Sequence, residues 1–186
     1  MKKLLPISAL FLLALLLLGT TSCKKILGLL TFQVNDSTTF QLPATGPAPG
    51  PLPNPVITVP VTVNSTASST YQNNNTAGDY VQDVTLDRLA LTVTDPANQN
   101  FDFVQRISIS ISTDATGASK LLLASLDPVP TGQTTIELKP ADQKLDVFLR
   151  GKPYYLFTTV EFKQLGLRQA TTVRADSRFN VKANPK

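Results

Sequence analysis

The chain has 186 residues, of which 42% are hydrophobic and 16% are charged, and its formal net charge is +4. It contains no His, no Trp and a single Cys, which excludes His-dependent catalytic triads, His-based zinc sites and an internal disulfide, and leads us to expect a protein that is not an enzyme. No basic block of the kind that grips phosphates occurs outside Lys24-Lys25, so nucleic acid is not an expected partner.

The first element in the chain has the three parts of a secretory signal peptide. Met1-Lys2-Lys3 is a charged start, an apolar run covers residues 4–18, and small residues then lead to Cys23. The run is too short to span a bilayer comfortably, because a transmembrane helix needs about 20 apolar residues. We therefore predict that residues 1–22 form a signal peptide that is removed.

The residues around the predicted cleavage point resemble the lipobox of bacterial lipoproteins. Thr20, Thr21 and Ser22 precede Cys23 directly, although Thr20 stands where the family prefers Leu. The resemblance covers only 23 residues. It implies cleavage between Ser22 and Cys23, acylation of Cys23 through its sulfur, and a new N-terminus at Cys23, with no cofactor besides this covalent lipid. The alternative is ordinary signal peptidase cleavage nearby, which would leave a free thiol.

Acyl chains on Cys23 would tether the mature protein to a membrane, because each buried methylene adds about 0.8 kcal/mol of affinity. Lys24 and Lys25 could each add about 1 kcal/mol near anionic headgroups. In the lipoproteins that this region resembles, an Asp after the cysteine can signal inner-membrane retention, and an acidic cluster can signal export to the cell surface. Neither follows Cys23. We expect an anchor in the outer membrane, on its periplasmic face rather than at the cell surface.

The chain after the signal peptide is predicted to contain a lipidated tether at residues 23–30 and a single β-sandwich domain at residues 31–184, since this length suits one domain. Residues 43–55 contain six prolines and two glycines. Such a segment cannot donate enough hydrogen bonds to join a sheet interior. It is therefore predicted to be a Pro-rich crossover on the surface.

The strand patterns begin with Thr31–Val34 and Thr38–Leu42, two short strands that the turn-like residues 35–37 are predicted to join. Residues 56–64 alternate in polarity and include Pro60, which favours an edge strand. The next alternating pattern slips in phase at Asp87-Arg88, which indicates a β-bulge.

Five further strands and one helix are predicted in the second half of the chain. The strands are Arg106–Thr113, Leu121–Ala124, Thr134–Leu138, Tyr154–Phe162 and Val173–Ala183. The helix is predicted from Pro140, which suits a first helical position, to Gly151, which would end it. Leu145, Phe148 and Leu149 would share its apolar face.

These elements predict an all-β fold, an antiparallel β-sandwich with immunoglobulin-like Greek-key topology and one short helix, and a barrel is the alternative. The anchor, the crossover and the stretch Leu89–Ile111, especially Asn100-Phe101-Asp102-Phe103, together resemble small, functionally uncharacterised β-sandwich lipoproteins of the Bacteroidota. The resemblance implies an extracytoplasmic, membrane-tethered module and brings no catalytic residues with it.

Three groups of side chains could form sites, and each has a simpler structural interpretation that we favour. Asp95, Asn98, Asn100 and Asp102 place oxygen ligands that would suit calcium in one loop, but their spacing does not match the 12-residue calcium-loop pattern, and turn formation explains them better. Tyr154 and Tyr155 could present a ring to a ligand, although only one of two successive strand residues can face outward. Asp142 and Asp146 lie one turn apart on the predicted helix, a spacing that suits paired catalytic carboxylates, but they lie on its exposed side.

The sequence thus favours a membrane-tethered, non-enzymatic binding or structural module of the cell envelope, with an unidentified protein partner. One alternative is an adhesin or pilus-type subunit in which an edge strand, such as residues 56–64, pairs with another chain. Another alternative is a carbohydrate-binding accessory of an uptake system, which the lack of Trp disfavours.

Overall fold

The computed structural model describes residues 28–46, 54–164 and 166–186. In chain order the strands are β1 (Leu30–Leu42), β2 (Val56–Val63), β3 (Val81–Asp95), β4 (Val104–Ser112), β5 (Leu121–Leu126), β6 (Thr135–Pro140), β7 (Tyr154–Phe162) and β8 (Thr171–Ala183). They form one antiparallel sheet in the order β1-β8-β3-β6-β5-β4-β7-β2. The predicted all-β antiparallel class is confirmed.

Several sequence predictions fall outside the described residues. These are the signal peptide with Ser22 and Cys23, the tether residues 24–27, and residues 47–53 of the Pro-rich crossover. Within the described ranges, no helix is both long and apolar enough to cross a membrane.

The sheet curls at β6, which pairs with a strand from each half of the sheet. Residues Thr135 to Leu138 pair with β3, whereas Lys139 and Pro140 pair with β5. The first half therefore consists of β1, β8, β3 and β6, and the second half of β5, β4, β7 and β2. Apolar side chains from both halves, such as Leu91 and Ile109, belong to a single buried cluster. Burial of this shared core provides the main stabilisation of the curled sheet.

The strand order differs from the predicted immunoglobulin-like one. In that topology the first strand pairs with the second. Here β1 pairs with β8 and β2 pairs with β7, at opposite edges of the sheet. Local alternation identifies strands but carries no information about which distant strands pair, so the topology could not be obtained from it.

The predicted break in the first strand is absent, because residues 35–37 continue β1 in register with β8. Turn-forming composition is overridden here by the partners of Asp36, which is only 4% exposed. Its Oδ1 accepts hydrogen bonds from the backbone N–H and the hydroxyl of Thr66, at 2.7 and 3.0 Å. The hydroxyl of Tyr154 donates to Oδ2 at 3.1 Å.

The bulge predicted at Asp87-Arg88 is confirmed by a shift in the β3–β8 register between Leu86 and Arg88. The shift places Leu89 and Leu91 in the core, where both are fully buried. It also leaves Asp87 unpaired in the ladder, so that its carboxylate can reach Arg178 and Asn180 on β8.

The prediction of a helix from Pro140 to Gly151 is wrong. Pro140 ends β6, and the following residues form a loop that docks onto the start of β3. Leu145 donates its N–H to the carbonyl of Val84 at 2.9 Å, and Asp146 accepts from the Val84 N–H at 2.6 Å. The predicted apolar residues are buried, but through this loop; these are Leu145, Phe148 and Leu149.

The described residues contain one α-helix, α1 (Ala67–Asn73), within a segment that the sequence predicted to be a polar loop. Its one aromatic residue, Tyr71, is 1% exposed and packs edge-on against Phe32 of β1. The Tyr71 hydroxyl donates to the carbonyl of Leu149. A helix of seven residues is too short to be stable alone, so this tertiary anchoring explains why a polar sequence is helical here.

The two ends of the sheet are distinguished by the residues that lie there. Leu30, Val81 and Ala183 are aligned across β1, β3 and β8 at one end, which we call the terminal end. Leu42 and Thr171 lie at the other end, which we call the distal end. Because β1 has 13 residues, the two ends are about 40 Å apart at roughly 3.3 Å per residue.

Candidate functional site

The predicted oxygen cluster at residues 95–102 is a turn that binds its own backbone. Asn100 Nδ2 donates to Asp102 Oδ2 at 2.9 Å, and the Asp102 N–H donates to Asn100 Oδ1 at 3.0 Å. The N–H of Gly132 donates to Asp102 Oδ1 at 2.6 Å. These bonds tie two distal loops together and occupy the carboxylate that a calcium ion would need. No group of three or more His, Cys, Asp or Glu side chains suited to a metal occurs among the described residues.

The tyrosine pair is divided between the two sides of β7, as expected from strand alternation. Tyr154 is 1% exposed and lies in the core. Tyr155 is half-buried and lines a shallow cavity of about 220 Å³ beside Pro60 and Ala115. A ring is therefore available at Tyr155 and not at Tyr154.

Asp142 and Asp146 are not aligned on one helix face, because residues 141–151 do not form the predicted helix. Asp142 is exposed and has a φ of +47°, and Asp146 is engaged with the backbone of Val84. The structure thus gives Asp146 a role in docking the 141–153 loop.

A polar concave region lies on the outer face of the first half of the sheet, and we call it the polar groove. It encloses about 410 Å³, within the range of small-ligand sites. Its outward-facing lining is Asn35 and Ser37 of β1, Arg174, Asp176 and Arg178 of β8, Arg88, Ala90 and Thr92 of β3, and Thr135 of β6. Ala90, at 7% exposure, forms a low point among longer side chains.

The arginines of the polar groove are each held by a carboxylate. Arg88 Nε donates to Glu137 at 3.0 Å, and Arg174 Nε donates to Asp176 at 2.8 Å. Arg178 Nε donates to Asp87. Because the contact runs through Nε in all three, the guanidinium planes are fixed in orientation while their Nη edges can face solvent.

The two carboxylates bound to β8 arginines are kept ionised by their neighbours. Partial burial raises the pKa of Asp176, but hydrogen bonds from Ser37 and Arg174 outweigh it and hold that pKa below its usual value. The hydrogen bond from Arg178 likewise lowers the pKa of Asp87. The charge pattern of the groove therefore persists throughout the neutral pH range.

One pair in the groove brings two arginines together. Arg88 of β3 and Arg178 of β8 are direct cross-strand partners on the same face. Like charges in this arrangement are destabilising, since the β-carbons of such pairs are about 5 Å apart. Each arginine of this pair also has a carboxylate partner, Glu137 for Arg88 and Asp87 for Arg178, which offsets the repulsion.

Sequence reasoning found part of the groove and missed its centre. The alternation of β8 indicated that Arg174 and Arg178 share an exposed face, which is confirmed. Nothing in the sequence placed Arg88 opposite Arg178, because that neighbour relation depends on the long-range β3–β8 pairing and on the bulge.

A second concave region, of about 470 Å³, lies among the loops of the distal end. Its floor includes Phe103, which stacks on Phe162 with a centroid separation of 5.9 Å, and its rim carries Lys163 and Arg168. It is the more apolar of the two regions, and loops rather than strands shape it.

No family model matches the chain, and no curated protein matches it. Among solved structures, the chain is similar to the decameric BFDV capsid protein, with 9% identity, a TM-score of 0.41, and coverage of 84% of this chain and 100% of that one. It is also similar to the 60-mer BFDV capsid protein, with 10% identity, a TM-score of 0.44, and coverage of 85% and 94%. For Turnip Yellow Mosaic Virus the identity is 12%, the TM-score 0.29, and the coverage 84% and 96%. All three scores lie below 0.5, so these likenesses carry no argument about what this chain does.

Proposed function

We propose that the chain is a lipid-tethered, non-enzymatic binding or structural module of the cell envelope, anchored through Cys23. One observation supports this proposal above the others. Leu30, the first residue of β1, is aligned with Ala183 at the terminal end of the sheet. A tether at residues 23–30 would therefore hold the molecule by one end and leave the groove and the distal loops accessible.

The proposed anchor also fits the expected location. Two or more acyl chains give lasting attachment, whereas one chain would exchange. On a periplasmic membrane face the distal end would stand about 40 Å beyond the terminal end, given 13 residues in β1. The distal loops and the groove could then meet a protein or ligand without contacting lipid.

The finer topology that we infer is a sandwich of two Greek keys of the jelly-roll type. Its support is the pairing order, with β1, β8, β3 and β6 on one side and β5, β4, β7 and β2 on the other. An eight-stranded double sheet built from two Greek keys is the jelly-roll architecture. It replaces the immunoglobulin-like order among the possible sandwiches.

The adhesin alternative is weakened by the position of Pro60 in β2. The Phe162 N–H donates to the carbonyl of Pro55 at 2.9 Å, so the polar backbone groups of Pro55 face β7. Backbone groups alternate in direction along a strand, and Pro60 therefore directs its nitrogen toward the free edge of the sheet. A proline there offers no N–H to an incoming strand and discourages strand addition.

Replacing Cys23 with Ala tests the anchor. The wild-type protein should remain with the membrane fraction after high-salt and carbonate washes, because its attachment is hydrophobic and covalent. The Cys23→Ala variant should be released to the soluble fraction or accumulate as an uncleaved precursor. Replacing Lys24 and Lys25 with Gln is the matched control, since it keeps the acylation site and should preserve attachment. Unchanged size and attachment of Cys23→Ala would refute the proposal.

A further inference from the structure

We propose that the polar groove binds a sugar carboxylate, with Arg88 and Arg178 receiving the carboxylate and neighbouring hydroxyl and amide groups receiving the sugar hydroxyls. This inference rests on the proposed binding function and names the class of ligand. It does not depend on the lipid anchor, because every residue that it uses lies in the sheet.

The first support is the arginine pair at the centre of the groove. Arg88 and Arg178 are direct cross-strand partners, and each is oriented by a carboxylate through Nε. Because these contacts run through Nε, the Nη groups remain as donors for a bound anion. Guanidinium groups bind carboxylates through two parallel hydrogen bonds.

The second support is what surrounds the pair. Asn35 lies opposite Arg178 on β1, and Ser37 lies opposite Asp176. Thr92 of β3 is hydrogen-bonded through its hydroxyl to Thr135 of β6 at 3.1 Å. The amide of Asn35 can donate and accept, whereas the Ser37 hydroxyl already donates to Asp176 and remains an acceptor for sugar hydroxyls.

The dimensions of the groove fit a short saccharide. Arg88 and Arg178 are aligned at one position, and Thr92 and Arg174 are aligned four residues further along the same two strands. At about 3.3 Å per residue the separation is about 13 Å, which is longer than one sugar ring. The volume of about 410 Å³ lies within the range of small-ligand sites.

The charge balance of the groove favours an acidic sugar over a strong polyanion. Glu137, Asp87 and Asp176 neutralise the three arginines. The groove therefore has no large net charge with which to attract a polyphosphate or nucleic acid. No aromatic ring belongs to its described lining, so a neutral sugar would lack the face-on stacking that usually retains it.

The test is calorimetric titration of the full chain, purified in detergent, with trigalacturonate as the acidic probe and maltotriose as the neutral one. Trigalacturonate should bind and maltotriose should not. Arg88→Gln and Arg178→Gln should each weaken binding at least about tenfold, because each removes a charge-assisted pair of hydrogen bonds. Arg88→Lys should weaken binding less than Arg88→Gln does, since Lys keeps the positive charge but cannot form the two parallel hydrogen bonds of a guanidinium group.

The matched control is Arg106→Gln. Arg106 is also an exposed strand arginine paired with a carboxylate, Glu161 at 2.5 Å, but it lies on the second half of the sheet. This variant should bind trigalacturonate as the wild type does, and thermal melting should show that all the variants remain folded. Absence of binding, an equal loss in Arg106→Gln, or equal affinity for acetate would overturn the proposal. Membrane attachment would be unaffected by any of these results, so failure here is distinguishable from failure of the anchor.

Discussion

At the residue scale, the most constrained polar group is Asp36. Its carboxylate is nearly inaccessible to water and accepts hydrogen bonds from Thr66 and Tyr154, which join β1, the start of α1 and β7. A buried carboxylate is costly unless its lone pairs are satisfied, and these donors satisfy them. Asp36 therefore couples three segments that are distant in sequence.

Replacing Asp36 with Ala should lower the free energy of unfolding by about 2–4 kcal/mol, because buried donors lose their acceptor. Urea unfolding measures this change. Ser37→Ala is the control: Ser37 is exposed and bonds to Asp176 on the surface, so it should change stability by no more than about 0.5 kcal/mol. Equal stability of Asp36→Ala and wild type would show that the carboxylate does not hold these segments together.

Two buried tyrosines predict a loss of stability at alkaline pH. Burial, and after it the charge of Asp36, raises the pKa of both Tyr71 and Tyr154. The pKa in the unfolded chain is about 10. Because the folded value is higher, this contribution is fully present below about pH 10, and it is lost as the pH rises further.

The urea midpoint of the wild type should therefore fall steeply from about pH 10 upward. Tyr154→Phe should start from a lower stability, because the bond to Asp36 is lost, but its alkaline slope should be shallower. Tyr155→Phe, which changes a half-buried ring on the outer face, should keep the wild-type slope. Identical slopes in all three proteins would contradict the assignment to the buried hydroxyls.

At the element scale, the alternation of apolar and polar residues predicted the positions of the strands more accurately than other features of the fold. The bounds of β7 were predicted as Tyr154–Phe162 and are observed as such, and the edge position of β2 followed from Pro60. These features depend on local sterics and hydrogen bonding, which the sequence displays directly.

The failures have long-range causes. The spacing of Leu145, Phe148 and Leu149 fits a helix. The 141–153 loop instead forms hydrogen bonds with the backbone of Val84, which a helix would not make. Residues 35–37 have the composition of a turn, but hydrogen bonds from Thr66 and Tyr154 to Asp36 hold them within β1. The centre of the polar groove could not be predicted for the same reason, since Arg88 and Arg178 become neighbours only through strand pairing.

The free edge of β2 supplies a prediction about association. Pro60→Val would restore an N–H and a β-branched side chain on that edge, and it should increase self-association of the full chain in detergent, measured by light scattering. Thr62→Val is the control, because Thr62 is on the same side of the strand and already has its N–H. Large oligomers of the wild-type protein whose size Pro60→Val does not change would favour the adhesin function instead.

At the scale of the whole molecule, the account requires a fixed polarity relative to the membrane. Val147 is 57% exposed in a loop of the terminal end, and Ala97 is exposed in a loop of the distal end. Val147→Cys and Ala97→Cys therefore provide a matched pair of labelling sites. A fluorophore on Val147→Cys should be quenched by headgroup-labelled lipid much more than one on Ala97→Cys. Equal quenching would mean that the molecule is not held by its terminal end.

The central claim is that a covalent lipid on Cys23 is the attachment, and mass spectrometry of the membrane-extracted protein tests it most directly. The account predicts that the N-terminal peptide begins at Cys23 and carries the mass of a diacylglyceryl group, with or without a third acyl chain. A peptide that begins elsewhere, or one that contains Cys23 with an unmodified thiol, would contradict it.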